Sequence, residues 1–349
     1  MKKNLLSVLM LLVAAVSTEA KSWKIGPASV NGMDFASINA AMNSSNVTTG
    51  DTLYLDQYYA ESNAQAVTKK VVIIGTGYDA SQTDEQVYAK VENTLNLKAN
   101  GIVLKSCRIL ELDFYNDDCV IDRCNISIVK VMSSTAGINH LYSCWITNKI
   151  EGYSDSQFSK IDIQNCCLII SWNMEADQIR NFESSIINNN VIIRTTDRYS
   201  RGYRYALSNI KNTQITNNII LWTYDENSYD YCLYPDVYAV GSGNSIEHNI
   251  LSLRSPMSNF PTNKTGYGAS SSEIFAQEGS WSNFYKLAEK SVAKGYATDG
   301  GDCGCHGGMF GNPAGGRPQY IPYFSKVVVG SRTENGKLPV SVTVKIQDE

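Results

Sequence analysis

Ile215-Thr216-Asn217-Asn218-Ile219-Ile220 holds, in six residues, the pattern that decides the fold of this 349-residue chain. An aliphatic residue is followed by two variable residues, a Cys or Asn, one more variable residue and a second aliphatic. The same unit recurs as Leu104/Cys107/Ile109, Ile121/Cys124/Ile126, Leu141/Cys144/Ile146, Ile163/Cys166/Leu168, Ile187/Asn190/Ile192 and Ile246/Asn249/Leu251. Such self-similarity marks a repeat architecture, in which each unit buries its apolar face against the next. The interval between successive Cys or Asn positions widens from 17 residues (Cys107 to Cys124) to 31 (Asn218 to Asn249). A constant core with growing insertions produces that trend.

Coiled parallel strands explain why Cys and Asn share one slot. Equivalent residues of successive turns then stack at about 4.8 Å, the spacing between paired strands. An inward Asn can hydrogen-bond to the Asn above and below it while satisfying backbone groups of the turn. Cys is small and tolerates burial, so it continues the stack as an apolar filler. Cys107, Cys124, Cys144 and Cys166 are thus expected as inward, reduced thiols leading into a ladder of Asn190, Asn218 and Asn249. Disulfides between rungs are the competing reading, since adjacent rungs bring Cα atoms within bridging range. The runs Val191-Ile192-Ile193 and Ile219-Ile220-Leu221 suit strands buried on both faces, and long helical periodicity is absent from residues 100–255. The fold class expected is all-β, a solenoid.

The unit Ile-Thr-Asn-Asn-Ile-Ile and its copies resemble the coil repeat of pectin-lyase-like right-handed parallel β-helices. That resemblance places the repeated Asn in the tight turn between the second and third strands of each coil. It also makes the first strand the concave face where polysaccharides bind. Asp34-Phe35-Ala36-Ser37-Ile38-Asn39-Ala40-Ala41-Met42, followed by Gly50-Asp51-Thr52-Leu53-Tyr54-Leu55, is similar to the family's amino-terminal capping helix and first strand. Phe284-Tyr285-Lys286-Leu287-Ala288 and Asp299-Gly300-Gly301-Asp302-Cys303-Gly304 are similar to its closing segment in exported bacterial members. The organisation expected is a signal peptide over residues 1–20, an N-terminal cap and first coil over 21–98, and β-helix coils over 99–255. A C-terminal capping segment over 256–325 and a terminal β-hairpin over 326–349 complete it. The hairpin reading rests on alternation in 326–329 and 339–346 around Glu334-Asn335-Gly336.

Lys2 and Lys3, an apolar stretch over residues 5–16 and a small-residue site at Thr18-Glu19-Ala20 read as a secretory signal, with the mature chain beginning near Lys21. Export to periplasm, cell surface or medium is the expectation. No later segment approaches the roughly 18 uninterrupted apolar residues of a membrane span. The chain carries a formal charge of −4 and no basic run, which argues against nucleic acid as a partner. Nine cysteines are an odd number, and outside the stack the state of Cys119, Cys167, Cys232, Cys303 and Cys305 stays open.

Family members that hydrolyse acidic polysaccharides carry Gly-His-Gly and Arg-x-Lys, and neither tripeptide occurs here. The Arg-x-Pro-x-x-Arg of pectate lyases is matched only at its start by Arg254-Ser255-Pro256-Met257-Ser258-Asn259. Asp302-Cys303-Gly304-Cys305-His306 offers metal-ligand residue types, but its spacing and flanking glycines favour a tight structural turn over a metal site. The ligand-binding candidates lie in two long insertions: Arg198, Arg201, Tyr203, Arg204 and Tyr205 in one, Asp225, Glu226 and Tyr229 in the next. Arg pairs with carboxylates, Tyr offers a flat face to sugar rings, and Asp or Glu can take calcium or act as acid or base. The plainer reading is that these charges pair with one another across neighbouring loops. Binding of an acidic polysaccharide or glycan without a catalytic set is the function expected. The alternative is a polysaccharide lyase with an Arg or Lys base, preferred over a glycoside hydrolase. No cofactor is expected, except calcium under the lyase reading.

Overall fold

A computed structural model describes residues 20–77, 88–134, 137–171, 178–195, 206–223, 242–252, 261–267, 273–276, 285–308, 323–329 and 340–345. Its coils are built from two parallel sheets. The first contains ten strands in strict sequence order: Ser22–Ile25, Thr52–Leu55, Val72–Ile74, Val103–Lys105, Val120–Asp122, Asn139–Tyr142, Ile161–Gln164, Ile186–Asn188, Gln214–Thr216 and Ser245–Glu247. The second contains thirteen, also advancing in order, from Ala60–Glu61 through Lys90–Leu97, Arg108–Phe114, Asn125–Val131 and Trp145–Glu151 to Lys264–Thr265. Sequential parallel strands wound this way form a right-handed β-helix, the hand that strand twist imposes on parallel crossovers.

The long strands of the second sheet bend. The register shifts between Val91 and Thr94 and again between Ile126 and Ile128, and such bulges turn a strand out of its plane. Each strand then has an arm next to the Cys/Asn corner and a second wing beyond the bend. In later coils the two separate: Cys167–Ser171 and Val191–Thr195 form corner arms, whereas Ile179–Glu183 and Leu207–Lys211 form wings.

The corners explain the repeat. Ser106, Arg123, Ser143, Asn165, Asn189, Asn217 and His248 immediately precede the seven Cys or Asn residues, and all seven have φ between 52° and 60°. One left-handed residue reverses the chain sharply enough to join the two sheets. Such a conformation costs a non-glycine residue roughly 1–2 kcal/mol, so the stacked residue that follows must secure it. Asn190 and Asn218 do so with their whole amides. The Asn218 Oδ1 accepts from Asn190 N at 2.9 Å and Nδ2 at 3.0 Å, while Asn218 Nδ2 reaches Ile187 O at 2.8 Å. Asn249 repeats this toward Asn218, and Asn263, fourteen residues on and outside the sequence pattern, closes the ladder by accepting from Asn249 N at 3.0 Å.

The thiols correct one expectation. They are reduced and buried as anticipated, but they are not apolar filler. Cys124 Sγ accepts from Cys107 N at 3.5 Å, Cys144 Sγ from Cys124 N at 3.5 Å and Cys166 Sγ from Cys144 N at 3.4 Å. Each also donates to a carbonyl, as Cys166 does to Gln164 O at 3.3 Å. The stack joins the ladder directly, because Cys166 N donates to Asn190 Oδ1 at 2.8 Å. Sulfur thus repeats in weaker form the two roles of the amide. Burial pushes the thiols of Cys124, Cys144 and Cys166 up, which keeps them protonated and slow to react.

A second column occupies the opposite edge of the first sheet. Cys119 N donates to Asn139 Oδ1 at 3.1 Å, Ser185 N to Thr213 Oγ1 at 3.3 Å and Thr213 N to Asn244 Oδ1 at 2.9 Å. Between the columns one apolar core runs from Ile25 to Leu251. Its amino-terminal end is closed by the helix Ile38–Asn43, whose N-cap Ser37 accepts from Ala40 N at 3.0 Å and which buries Ile38, Ala41 and Met42. Phe35 lies ahead of the helix, edge-on to Trp23 with ring centroids 5.5 Å apart.

A second apolar cluster lies outside the coil. The outward side chains of the corner arms, Trp145, Cys167, Val191, Ile219 and Ile250, are covered by Leu287, Ala293, Ala297, Cys303 and Cys305. Asn corners hold that cover in place: Asn189 Nδ2 donates to Asp302 O at 2.9 Å, and Asn217 Nδ2 to Thr298 Oγ1 at 3.1 Å. Tyr323–Val329 pairs antiparallel with Val340–Lys345, forming the expected hairpin.

Candidate functional site

The eight ligand-binding candidates, Arg198, Arg201, Tyr203, Arg204, Tyr205, Asp225, Glu226 and Tyr229, lie outside the described residues. Their stems are described at the backbone level. Thr195 and Thr223 end neighbouring strands and are paired in register, so the two insertions leave from adjacent rungs. The chain returns from the first insertion into Leu207–Lys211, a strand of the wing.

The geometry of the wing is complete over the earlier coils. Alternation turns Leu95, Leu97, Leu112, Phe114, Val129, Val131, Ile150 and Ile179 inward. The residues between them form an outward row in register: Asn96, Asp113, Lys130, Glu151 and Arg180. Glu111 and Lys149 flank this row from the next outward position. On its other side stand Tyr115, Met132 and Tyr153, which are 39%, 36% and 50% exposed. Lys98 Nζ sits 5.2 Å from the Tyr115 ring centroid.

The charges in the row are mostly satisfied. Lys130 pairs with Glu111 at 2.8 Å and Lys149 with Glu151 at 2.5 Å, and Arg180 Nε donates to Glu151 at 2.9 Å. Burial alone would raise the Glu151 carboxyl, but Lys149 and Arg180 outweigh it and hold it below its usual range. Asp113 is the exception. It is 6% exposed, and its Oδ1 is buried without a hydrogen-bond partner. Burial and the neighbouring Glu111 push its carboxyl up to about 6, against the pull of Lys130. Near neutral pH it can therefore take or give a proton, a property that carboxylates acquire at sites of chemistry more often than elsewhere. The described face does not assemble a calcium ligand set, because Glu111 and Glu151 are already tied to cations.

Asp113 makes a testable demand on stability. A group whose folded pKa lies above its unfolded value favours the fold below the unfolded pKa, and that contribution is lost as pH rises through the folded pKa. Asp113→Asn is therefore expected to stabilise the protein by about 2 kcal/mol at pH 8. The gain should shrink through pH 6 and nearly vanish by pH 4. Urea titrations at several pH values measure it, and a gain independent of pH would mean that Asp113 is not the titrating group.

Two other clusters contain reactive residue types. On the outer face of the first sheet, Tyr142 donates to Asp162 Oδ2 at 2.8 Å, His140 Nδ1 lies 3.1 Å from the same oxygen, and Gln164 donates to Oδ1 at 2.8 Å. That carboxylate is saturated, which suits a structural network. In Asp302-Cys303-Gly304-Cys305-His306 the two thiols diverge. Cys303 donates to His248 O at 3.3 Å, and burial pushes it up to about 12. For Cys305 burial is outweighed by a hydrogen bond with Cys167 and by His306, which bring it down to about 6. Among the described residues no three His, Cys, Asp or Glu side chains converge on one point.

The sequence reading missed the charged row, although a signal for it existed. Asp113 and Lys130 each stand six residues after their stack cysteines, inside the alternations Leu112-Asp113-Phe114 and Val129-Lys130-Val131. Glu151 stands seven after Cys144 and Arg180 fourteen after Cys166, so the bulge and the longer coils hide the alignment from any fixed spacing.

No protein-family model matches the chain, and no curated protein matches it either. Among solved structures, the crystal structure of pectate lyase Pel9A is similar at 13% identity, covering 84% of this chain and 97% of that one, with a TM-score of 0.37.

Proposed function

We propose that the protein is exported and engages an extended acidic glycan along the outward row of the wing. The observation that carries this reading is the exposed strip of Tyr115, Met132 and Tyr153 beside the charged row. Rungs repeat at about 4.8 Å, close to the advance of one sugar per unit in an extended chain, so successive rungs can meet successive sugars. Tyrosine faces supply apolar contact with ring C–H groups, and their hydroxyls remain wet. Arg198, Arg201 and Arg204 would bring cations that pair bidentately with uronate or sulfate groups.

Cleavage by β-elimination is the second reading, and Asp113 favours it. The cations described beside this row, Lys98, Lys130, Lys149 and Arg180, are each paired with a carboxylate or stacked on Tyr115, so an Arg base would come from the first insertion. On this face Asp113 is the described carboxyl poised to exchange a proton. Among the described residues no helix is long and apolar enough to cross a membrane.

A panel of uronate-rich, sulfated and neutral polysaccharides tests both readings. Tyr115→Ala with Tyr153→Ala should weaken binding of the preferred acidic glycan about 30-fold, or about 2 kcal/mol. Arg201→Ala with Arg204→Ala should cost a similar amount and leave the melting temperature nearly unchanged. Ultraviolet absorbance of an unsaturated product would reveal elimination. Binding that neither pair of substitutions weakens would overturn the assignment of this face.

A further inference from the structure

Asp51 is the most completely buried carboxylate in the amino-terminal cap, at 0% exposure. Its oxygens accept four hydrogen bonds: from Lys21 N at 2.8 Å, Trp23 Nε1 at 2.8 Å, Thr48 N at 2.9 Å and Thr48 Oγ1 at 3.4 Å. All four donors are neutral in the unprocessed chain. No ion pair among the described residues includes Asp51. The Lys21 ammonium does not serve it either, since Nζ lies over the Trp23 ring, 6.0 Å from the centroid. A buried carboxylate without a cation is costly, and proteins rarely keep one unpaired.

The donor at 2.8 Å is the backbone nitrogen of the residue at which the mature chain is expected to begin. We propose that hydrolysis of the Ala20–Lys21 peptide bond converts this nitrogen into an α-ammonium that pairs with the Asp51 carboxylate, so that removal of the leader completes the amino-terminal cap. The proposal rests on reading residues 1–20 as a secretory leader. It does not depend on any glycan.

The chemistry is that of a signal peptidase, with water as co-reactant. The C–N bond breaks, the water oxygen bonds to the Ala20 carbonyl carbon, and the leader departs as a carboxylate. The nitrogen stays on Lys21 and, with the protons it gains, becomes –NH3+. Little else has to move. Ala20 and Lys21, which flank the bond, are exposed, and the hydrogen bond from Thr52 N to Lys21 O at 2.8 Å already fixes Lys21 against the next rung. An uncharged donor at hydrogen-bond distance thereby becomes a charged one, and such bonds are roughly twice as strong. Burial works against ionisation of Asp51, but the Lys21, Trp23 and Thr48 hydrogen bonds prevail and hold its carboxyl below the usual range, ready for a cation. Asp51 also ties three rungs together, because its own carbonyl accepts from Val72 N at 3.0 Å.

Four full-length mature chains test this: one beginning at Lys21 and one with a Gly-Ser extension before it, each with Asp51 and with Asp51→Asn. In urea the chain beginning at Lys21 should have an unfolding constant about tenfold lower than the extended chain, and Asp51→Asn should abolish that difference. An extension without effect, or an effect that survives Asp51→Asn, would overturn the proposal. So would an exported protein whose first residue is not Lys21. If Asp51→Asn does not fold, acylation of the α-amine decides instead. In the native chain the Lys21 α-amine should react several-fold more slowly at neutral pH than in the urea-unfolded chain, and equal rates would overturn the pairing.

Discussion

Asn218→Leu is expected to lower the stability of the folded protein by about 3–4 kcal/mol, near the upper end for a single substitution. The side chain is fully buried and leucine is close to it in volume, so a cavity is not the cause. The loss comes from groups left behind. Asn190 loses the acceptor of its backbone N–H and one of the two acceptors of its side-chain amide, Ile187 O loses a donor, and Asn249 Oδ1 loses one of two. Each buried orphan costs about 1–3 kcal/mol, reduced by whatever relaxation the ladder allows. Equilibrium urea unfolding measures the effect. A change below about 1 kcal/mol would mean that the ladder is replaceable by apolar packing, as the sequence alone suggests for the cysteines.

The second large effect is expected at Gly152, between Glu151 and Tyr153 on the candidate face. Its φ is unexceptional; the constraint is proximity. A Cβ there would lie 2.1 Å from Asn181 O and 2.9 Å from Asn181 C, both backbone atoms of the next rung. That rung cannot retreat, because Gly152 N donates to Arg180 O at 2.9 Å and strand pairing fixes the separation. Gly152→Ala should therefore cost about 3 kcal/mol, the scale of forced overpacking in a rigid core. It should also disturb the Glu151–Arg180 pair. Thermal unfolding gives the first quantity, and glycan affinity measured below the new melting temperature gives the second. A variant as stable as the parent would show that the coil can open locally at this rung.

The two positions illustrate different degrees of legibility. Asn218 was visible because its slot repeats and because only a side chain with both donor and acceptor can stack on copies of itself. Gly152 belongs to no repeat, and its constraint depends on a backbone oxygen twenty-nine residues later. The cysteines fall between. Their slot was legible, but their hydrogen bonds were not, since sulfur in a pattern looks like any small apolar residue until its distances to N–H and C=O are known.

By itself the sequence determined the coil. Seven aligned Cys or Asn residues with aliphatic flanks specify one rung each, because inward packing and corner hydrogen bonding act within a few residues of the chain. The same locality revealed the capping helix and the terminal hairpin. Only the tertiary structure decided what lies across rungs: the outward row of Asp113, Lys130, Glu151 and Arg180, the strip beside it, the second polar column, and the outer cluster closed by Cys303 and Cys305. Those neighbours are separated by 17 to 31 residues, or by far more, and insertions and bulges change the interval from coil to coil. Side chains meet across a solenoid by strand register, and register is fixed by backbone pairing that no spacing along the chain records.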